Sequence, residues 1–140
     1  MIVLDTNVVS ELMRAAPADF VVEWVDRQSS TEVHLTAITV AELLYGVARL
    51  PGGSRKTDLA ERIEAMLSED FDHRVLSFDE TSAAHYADIV VRRERAGRPI
   101  STADAQIAAT CRSHGAMLVT RNIDDFVDTG ITIDNPWNRH

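Results

Sequence analysis

"MIVLDTNVVSE", residues 1–11, begins with an apolar, β-branched run that stops on a carboxylate, Asp5, with Thr6 and Asn7 directly behind it. Such a run reads as a strand with no wet face, and the polar residues that end it read as the entry to a helix. The same unit recurs along the chain. Short runs "EVHLT" 32–36, "RVLSF" 74–78, "MLVT" 117–120 and "ITID" 131–134 alternate with stretches of helical periodicity at 7–14, 18–28, 39–50, 54–69, 80–96 and 102–114, and with a short turn at 123–127. Strands this apolar, separated by helices, predict an α/β fold: three layers, α/β/α, around a central parallel sheet of about five strands. Sheets of that kind bind ligands beyond the carboxyl ends of their strands, and Asp5 stands at such an end.

The length, 140 residues with 45% hydrophobic content, suits a single domain over residues 1–140 with one core. No repeat, low-complexity tract or linker interrupts it, and "PGGS" at 51–54 is long enough only for a turn between helices. Charge breaks every long apolar stretch, and no basic segment precedes an apolar one at the start, so neither a membrane span nor a signal peptide is expected. The expected location is the cytoplasm. The one cysteine, Cys111 in "AQIAATC", reads as core. Net charge is −8, and Lys56 is the only lysine among 14 basic residues. That last fact removes two rivals that also begin with an aspartate after a first strand. A haloacid-dehalogenase-like phosphohydrolase wants a second Asp where this chain has Asn7, and a lysine late in the chain; a receiver module wants an early acidic pair and a late lysine.

Three further acids stand at helix starts. "TVAE" 39–42, "STAD" 101–104 and "NIDD" 122–125 each place a capping residue three positions before an acid, which puts Glu42, Asp104 and Asp125 in first turns. Each acid could simply serve its own helix end, as Asp5 could cap the helix near Asn7. Helices covering a parallel sheet run antiparallel to its strands, however, so these starts and the end of the first strand share one rim. On the 39–50 helix the apolar stripe is Val40, Leu43, Leu44 and Val47, and Glu42 points away from it. Carboxylates gathered this way repel one another unless a cation neutralises them. The oxygen donors on offer are Asp5, Asn7, Glu42, Asp104, Thr120, Asn122 and Asp125, with no Cys/His grouping at zinc spacing, which favours Mg²⁺ or Mn²⁺. The histidines at 34, 73, 85, 114 and 140 are scattered singly and read as surface or core residues rather than ligands.

At these residues the sequence resembles the PIN-domain ribonucleases, and within them the VapC-type toxins of bacterial toxin–antitoxin pairs. The resemblance covers essentially the whole chain through "MIVLDTNVVSEL", "TAITVAELLYGV" at 36–47, "ISTADAQIAATCRSHGAMLVTRNIDDF" at 100–126 and "NPW" at 135–137. It implies catalytic acids at Asp5, Glu42 and Asp104. The family's fourth acid falls where this chain has Asn122; Asp125, three residues on, could compensate or could cap its own turn. The implied reaction is metal-dependent hydrolysis of RNA phosphodiester bonds, the cation activating water and shielding charge on phosphate. In that reading Thr6, Asn7 and Thr120 position the carboxylates or a phosphate oxygen. A catalytically weak RNA- or protein-binding relative is the alternative; lost acids would mark it, and the three principal ones are present. A charge of −8 suits an RNA binder poorly, but "RRERAGR" at 92–98 gathers Arg92, Arg93, Arg95 and Arg98. These either grip backbone phosphates or form the solvated end of the 80–96 helix. The resemblance further implies an antitoxin whose C-terminal segment docks on helices of the first 70 residues and projects an Arg or Lys among the acids. A two-fold homodimer is implied as well.

Overall fold

The computed structural model describes residues 1–139; His140 lies outside the described residues. Five strands, β1 (Ile2–Leu4), β2 (Val33–Thr36), β3 (Val75–Leu76), β4 (Met117–Val119) and β5 (Ile133–Asp134), form one sheet in the order β3-β2-β1-β4-β5. All pairings are parallel, with Ile2 opposite both Val33 and Met117. Six α-helices cover it: α1 (Thr6–Leu12), α2 (Asp19–Asp26), α3 (Ala37–Ala48), α4 (Ser54–Ala65), α5 (Glu80–Arg95) and α6 (Thr102–His114). The three-layer expectation holds.

Alternation along the strands sends neighbouring residues to opposite faces. Leu4, Leu35 and Val119 pack with Val8 and Val9 of α1, Trp24 of α2, Leu43 and Val47 of α3 and Ile63 of α4. Val3 and Leu118 pack instead with Ile89 of α5 and Ile107, Ala108 and Cys111 of α6. The small residues Ala105, Ala108 and Ala109, all fully buried, let α6 lie close to the sheet and to α5. Gly115, at φ 63°, ends α6 in the left-handed conformation that glycine adopts without strain. Cys111 is core as expected, and burial pushes its thiol well up from its ordinary range.

Several boundaries move. The 54–69 helix is α-helical only to Ala65, after which Met66–Asp70 makes a π-helical turn that buries Met66. The third helix starts two residues before the expected 39, because Thr36, still paired in β2, is its cap: its hydroxyl accepts the Thr39 amide at 3.1 Å. Thr39 is therefore not a capping residue, and Glu42 sits in the second turn rather than the first. The turn at 123–127 is a 3₁₀ turn over Ile123–Phe126, and the side chain of Asn122 makes no cap bond to it.

Candidate active site

β1 and β4 are neighbours, yet the chain leaves them toward opposite faces of the sheet. After β1, α1 buries Val8 and Val9 on one side; after β4, the 3₁₀ turn buries Phe126 on the other. The strand order reverses between them, and a crevice opens at their carboxyl ends. Its volume is about 510 Å³, and Asp5, Glu42, Asp104, Asn122 and Asp125 all line it.

Asp5 is the floor of the crevice, buried to 4% exposure and fixed from three directions. One carboxylate oxygen accepts the Thr6 amide at 2.8 Å, which makes Asp5 the N-cap of α1 as well. The other accepts the Thr120 hydroxyl at 2.8 Å and the Asn7 amide at 3.2 Å. Thr120 is a hub with no solvent exposure: while donating to Asp5, its oxygen accepts Asn7 Nδ2 at 3.2 Å and the Asn122 amide at 3.0 Å. Asn7 also accepts the Arg121 amide at 3.0 Å. It therefore ties the start of α1 to the chain leaving β4. That chain is held from outside by Asn135, whose side chain donates to the Arg121 carbonyl, and by Trp137, whose ring lies 5.0 Å from the Arg121 guanidinium.

Glu42, exposed on α3, is oriented by the Thr6 hydroxyl, which donates to it at 2.6 Å. Asp104 enters in the first turn of α6, where Ser101 caps the helix by accepting the Asp104 amide at 3.2 Å, as "STAD" predicts. Burial pushes the Asp5 carboxyl up from 3.8 to about 6, with the Thr120 and Thr6 bonds opposing and the charges of Asp104 and Glu42 adding to the rise. Burial raises Asp104 too, against the Ser101 hydroxyl, with Asp125 and Glu42 adding. A cation would relieve both carboxylates.

The donor set suits a hard cation, being oxygen throughout. Among the described residues no three Asp, Glu, His or Cys side chains are drawn into a ready-made coordination sphere. One or two of these carboxylates could hold a divalent cation that keeps much of its water.

A PIN domain family model matches residues 2–131. The chain belongs to the PIN domain family. It is 44% identical over 137 residues to the VapC ribonuclease Y4jK of Sinorhizobium fredii, with 98% of both chains covered. It is 44% identical over 138 residues to Toxin FitB of Neisseria gonorrhoeae, with 99% of both covered. The solved structure of FitAcB from Neisseria gonorrhoeae superposes with a TM-score of 0.92, covering 98% of this chain and 99% of that one at 44% identity. DNA-bound VapBC from Salmonella typhimurium gives 0.83 at 26% identity, covering 96% and 97%.

Within this PIN domain the arginine run divides. Arg92, Arg95 and Arg98 are exposed, but Arg93 is 4% exposed and turned inward. Its guanidinium donates to the carbonyls of Arg98 at 2.6 Å, Asp125 at 2.7 Å and Val127 at 3.0 Å. The expectation of a phosphate contact is corrected for Arg93, because it is buried and its Nε and Nη1 donors hold the Asp125 turn and the segment leading to α6. Ser10, Glu11 and Arg14 line the crevice and were absent from the sequence reading. Glu11 is buried, accepts the Ala18 amide at 3.0 Å and pairs with Arg14 at 3.3 Å. The Ala18 bond holds its carboxyl below the usual range, and Arg14 adds to this.

Proposed function

We propose that this PIN domain is the toxin of a type II toxin–antitoxin pair and a metal-dependent endoribonuclease, with Asp5, Glu42 and Asp104 as catalytic carboxylates and Mg²⁺ or Mn²⁺ as cation. The observation that carries the reading is the opening of all three onto one crevice at the β1/β4 switch, in a chain closely similar to VapC and FitB proteins.

Asp5, Glu42 and Asp104 would hold the cation, with Asn122 and Asp125 offering further oxygens at the rim. When bound, a divalent ion supplies a Lewis acid for the phosphate oxygens and lowers the pKa of the attacking water. The chain's own work is positional. Thr120, Asn7 and the Thr6 amide keep the Asp5 carboxylate from rotating, and Thr6 fixes Glu42, so the anionic oxygens are aimed before substrate arrives. The buried side of the crevice excludes bulk water from Asp5, and the exposed Glu42 and Asp125 leave it open to a strand of RNA.

The partner is a small antitoxin. Similar solved structures include FitAcB from Neisseria gonorrhoeae and FitAB bound to a DNA fragment. For this chain an antitoxin Arg or Lys placed among Asp5, Glu42 and Asp104 would substitute a side-chain cation for the metal. Pairing as a two-fold homodimer, over one domain spanning 1–140, and action in the cytoplasm belong to the same reading; no helix among the described residues is long and apolar enough to cross a membrane.

The test is cleavage of an unstructured RNA by purified protein. Activity is expected with Mg²⁺ or Mn²⁺ and none in excess EDTA, and Glu42→Gln and Asp104→Asn should each lower it by about 100-fold or more. Cleavage that persists in EDTA overturns the reading.

A further inference from the structure

We propose that the RNA strand reaches the acids along the groove between α1 and helices α3 and α4, and that Arg14 binds a backbone phosphate where this groove meets the crevice. The proposal rests on the endoribonuclease reading above.

A crevice lined by carboxylates in a chain of charge −8 does not attract a polyanion unaided. Among the described residues Arg14 is the only basic one lining the crevice. The neighbouring groove, about 950 Å³, is lined by the same Thr6, Ser10, Arg14 and Glu42, so the two form one continuous channel. The partly exposed Met13, Leu50 and Leu59 give the groove its apolar side, with Leu43, Val47 and Ile63 buried behind them, while the exposed Arg55 and Arg62 of α4 line it with charge. Seven residues apart, those arginines lie two helical turns, about 10 Å, from one another on one face. Asp58 between them leaves the α4 wall net positive. A groove whose cations track the backbone is how proteins take up single strands without reading their sequence, and since none of the lining residues is aromatic the strand is held here through its phosphates.

Arg14 is held for this work. Its Nη1 lies 3.3 and 3.4 Å from the two Glu11 oxygens, and Glu11 is itself anchored by the Ala18 amide. The pair restrains the guanidinium while the Arg14 side chain stays 67% exposed against 7% for Glu11, which leaves its other N–H donors facing outward. Glu11 offsets part of the charge from behind.

The experiment compares Michaelis constants on two mixed-sequence, unstructured RNAs, one of about four nucleotides and one of about twelve, with site sizes in this range typical of single-strand grooves. Arg14→Gln should raise KM on both by about three- to tenfold with kcat little changed, and Arg14→Lys should recover part of the loss. The double variant Arg55→Gln/Arg62→Gln should raise KM on the long RNA alone. Each arginine removed should lower the slope of log K against log salt by about 0.7 on the long RNA. Unchanged KM on the long RNA in the double variant overturns the path, and if the same variant instead weakens the antitoxin complex, the groove belongs to the antitoxin. Failure of the parent protein to cleave either RNA overturns the nuclease reading itself, and the strand path with it.

Discussion

Asp5→Asn should make the metal-free protein more stable at neutral pH, although it removes a carboxylate that accepts from three groups. The folded carboxyl ionises near 6, against 3.8 when unconstrained. Between those values the folded chain binds more protons than the unfolded one, so stability is full below about pH 4 and falls as the pH rises through 6. A difference of this size corresponds to about 3 kcal/mol once Asp5 is fully ionised, and burial is its first cause. Asparagine carries no charge and escapes that cost. Its amide nitrogen would, however, face either the Thr6 amide or the Thr120 oxygen, which already accepts from Asn7 and Asn122. The mismatch should cost about 1–2 kcal/mol at any pH.

The expected result is a crossing. In EDTA the variant should be the weaker chain near pH 4 and the stronger by about 1 kcal/mol near pH 7.5, the gap shifting by about 2 kcal/mol between. Urea unfolding followed by fluorescence of the buried Trp24 measures it, and titrations common to both chains cancel in the difference. Millimolar Mg²⁺ should then stabilise the parent, by about 1.4 kcal/mol at ten times its Kd, and leave the variant unmoved. A gap that stays flat with pH, or widens in acid, refutes the claim that a buried, repelled carboxylate forms the crevice floor.

Thr120→Val keeps the shape of the hub but strands the Asn122 amide and withdraws one donor from Asp5. It should cost about 2–4 kcal/mol in urea unfolding and move the Asp5 transition further above 6, readable in the same pH series. Arg93→Met leaves three carbonyls without their donor and should cost about 3 kcal/mol or more, with Arg93→Lys recovering little because an ammonium cannot span all three. Asn122→Asp adds an anionic oxygen to the rim, and calorimetry should show Mg²⁺ bound more tightly than by the parent.

The fold was legible because its signal is repeated: apolar runs with no wet face can only be covered on both sides, and each was followed by a helical period. Strand order was not, since nothing local tells β4 to lie beside β1. Cap positions were misread where one residue serves two elements. Thr36 completes the β2 ladder and caps α3, so the apparent box beginning at Thr39 was a coincidence of spacing. Arg93 was legible in hindsight. It falls four residues after the fully buried Ile89, on the core stripe of α5, and only its company in "RRERAGR" disguised it. The rest of the polar face of α1 was missed for the opposite reason. Ser10, Glu11 and, just beyond the helix, Arg14 follow Asn7 at the spacing of one helical face, opposite Val8 and Val9, but a search for acids at helix starts passes over a stripe that continues to the helix end.

The site also explains why Thr6, Asn7 and Thr120 accompany the acids. A switch point opens a crevice because two adjacent strands hand the chain to opposite faces of the sheet, and that divergence leaves the floor of the crevice without backbone pairing above the last ladder bond. Asp5 still receives one such bond, its amide donating to the Val119 carbonyl at 2.9 Å. Beyond it the side chains take over. Asn7 bridges to both Thr120 and the Arg121 amide, and Thr120 closes onto Asp5, so the two departing segments are braced in the layer where the carboxylates must be held still. Longer side chains there would fill the crevice, and apolar ones would leave the Asn122 and Arg121 amides unpaired. Short polar residues are what remains, and the same three that brace the fold orient the acids: Thr6 aims Glu42, while Asn7 and Thr120 fix Asp5. In this PIN domain the bracing of the crevice and the aiming of its carboxylates are one set of bonds, so a substitution that loosens either should be felt in both.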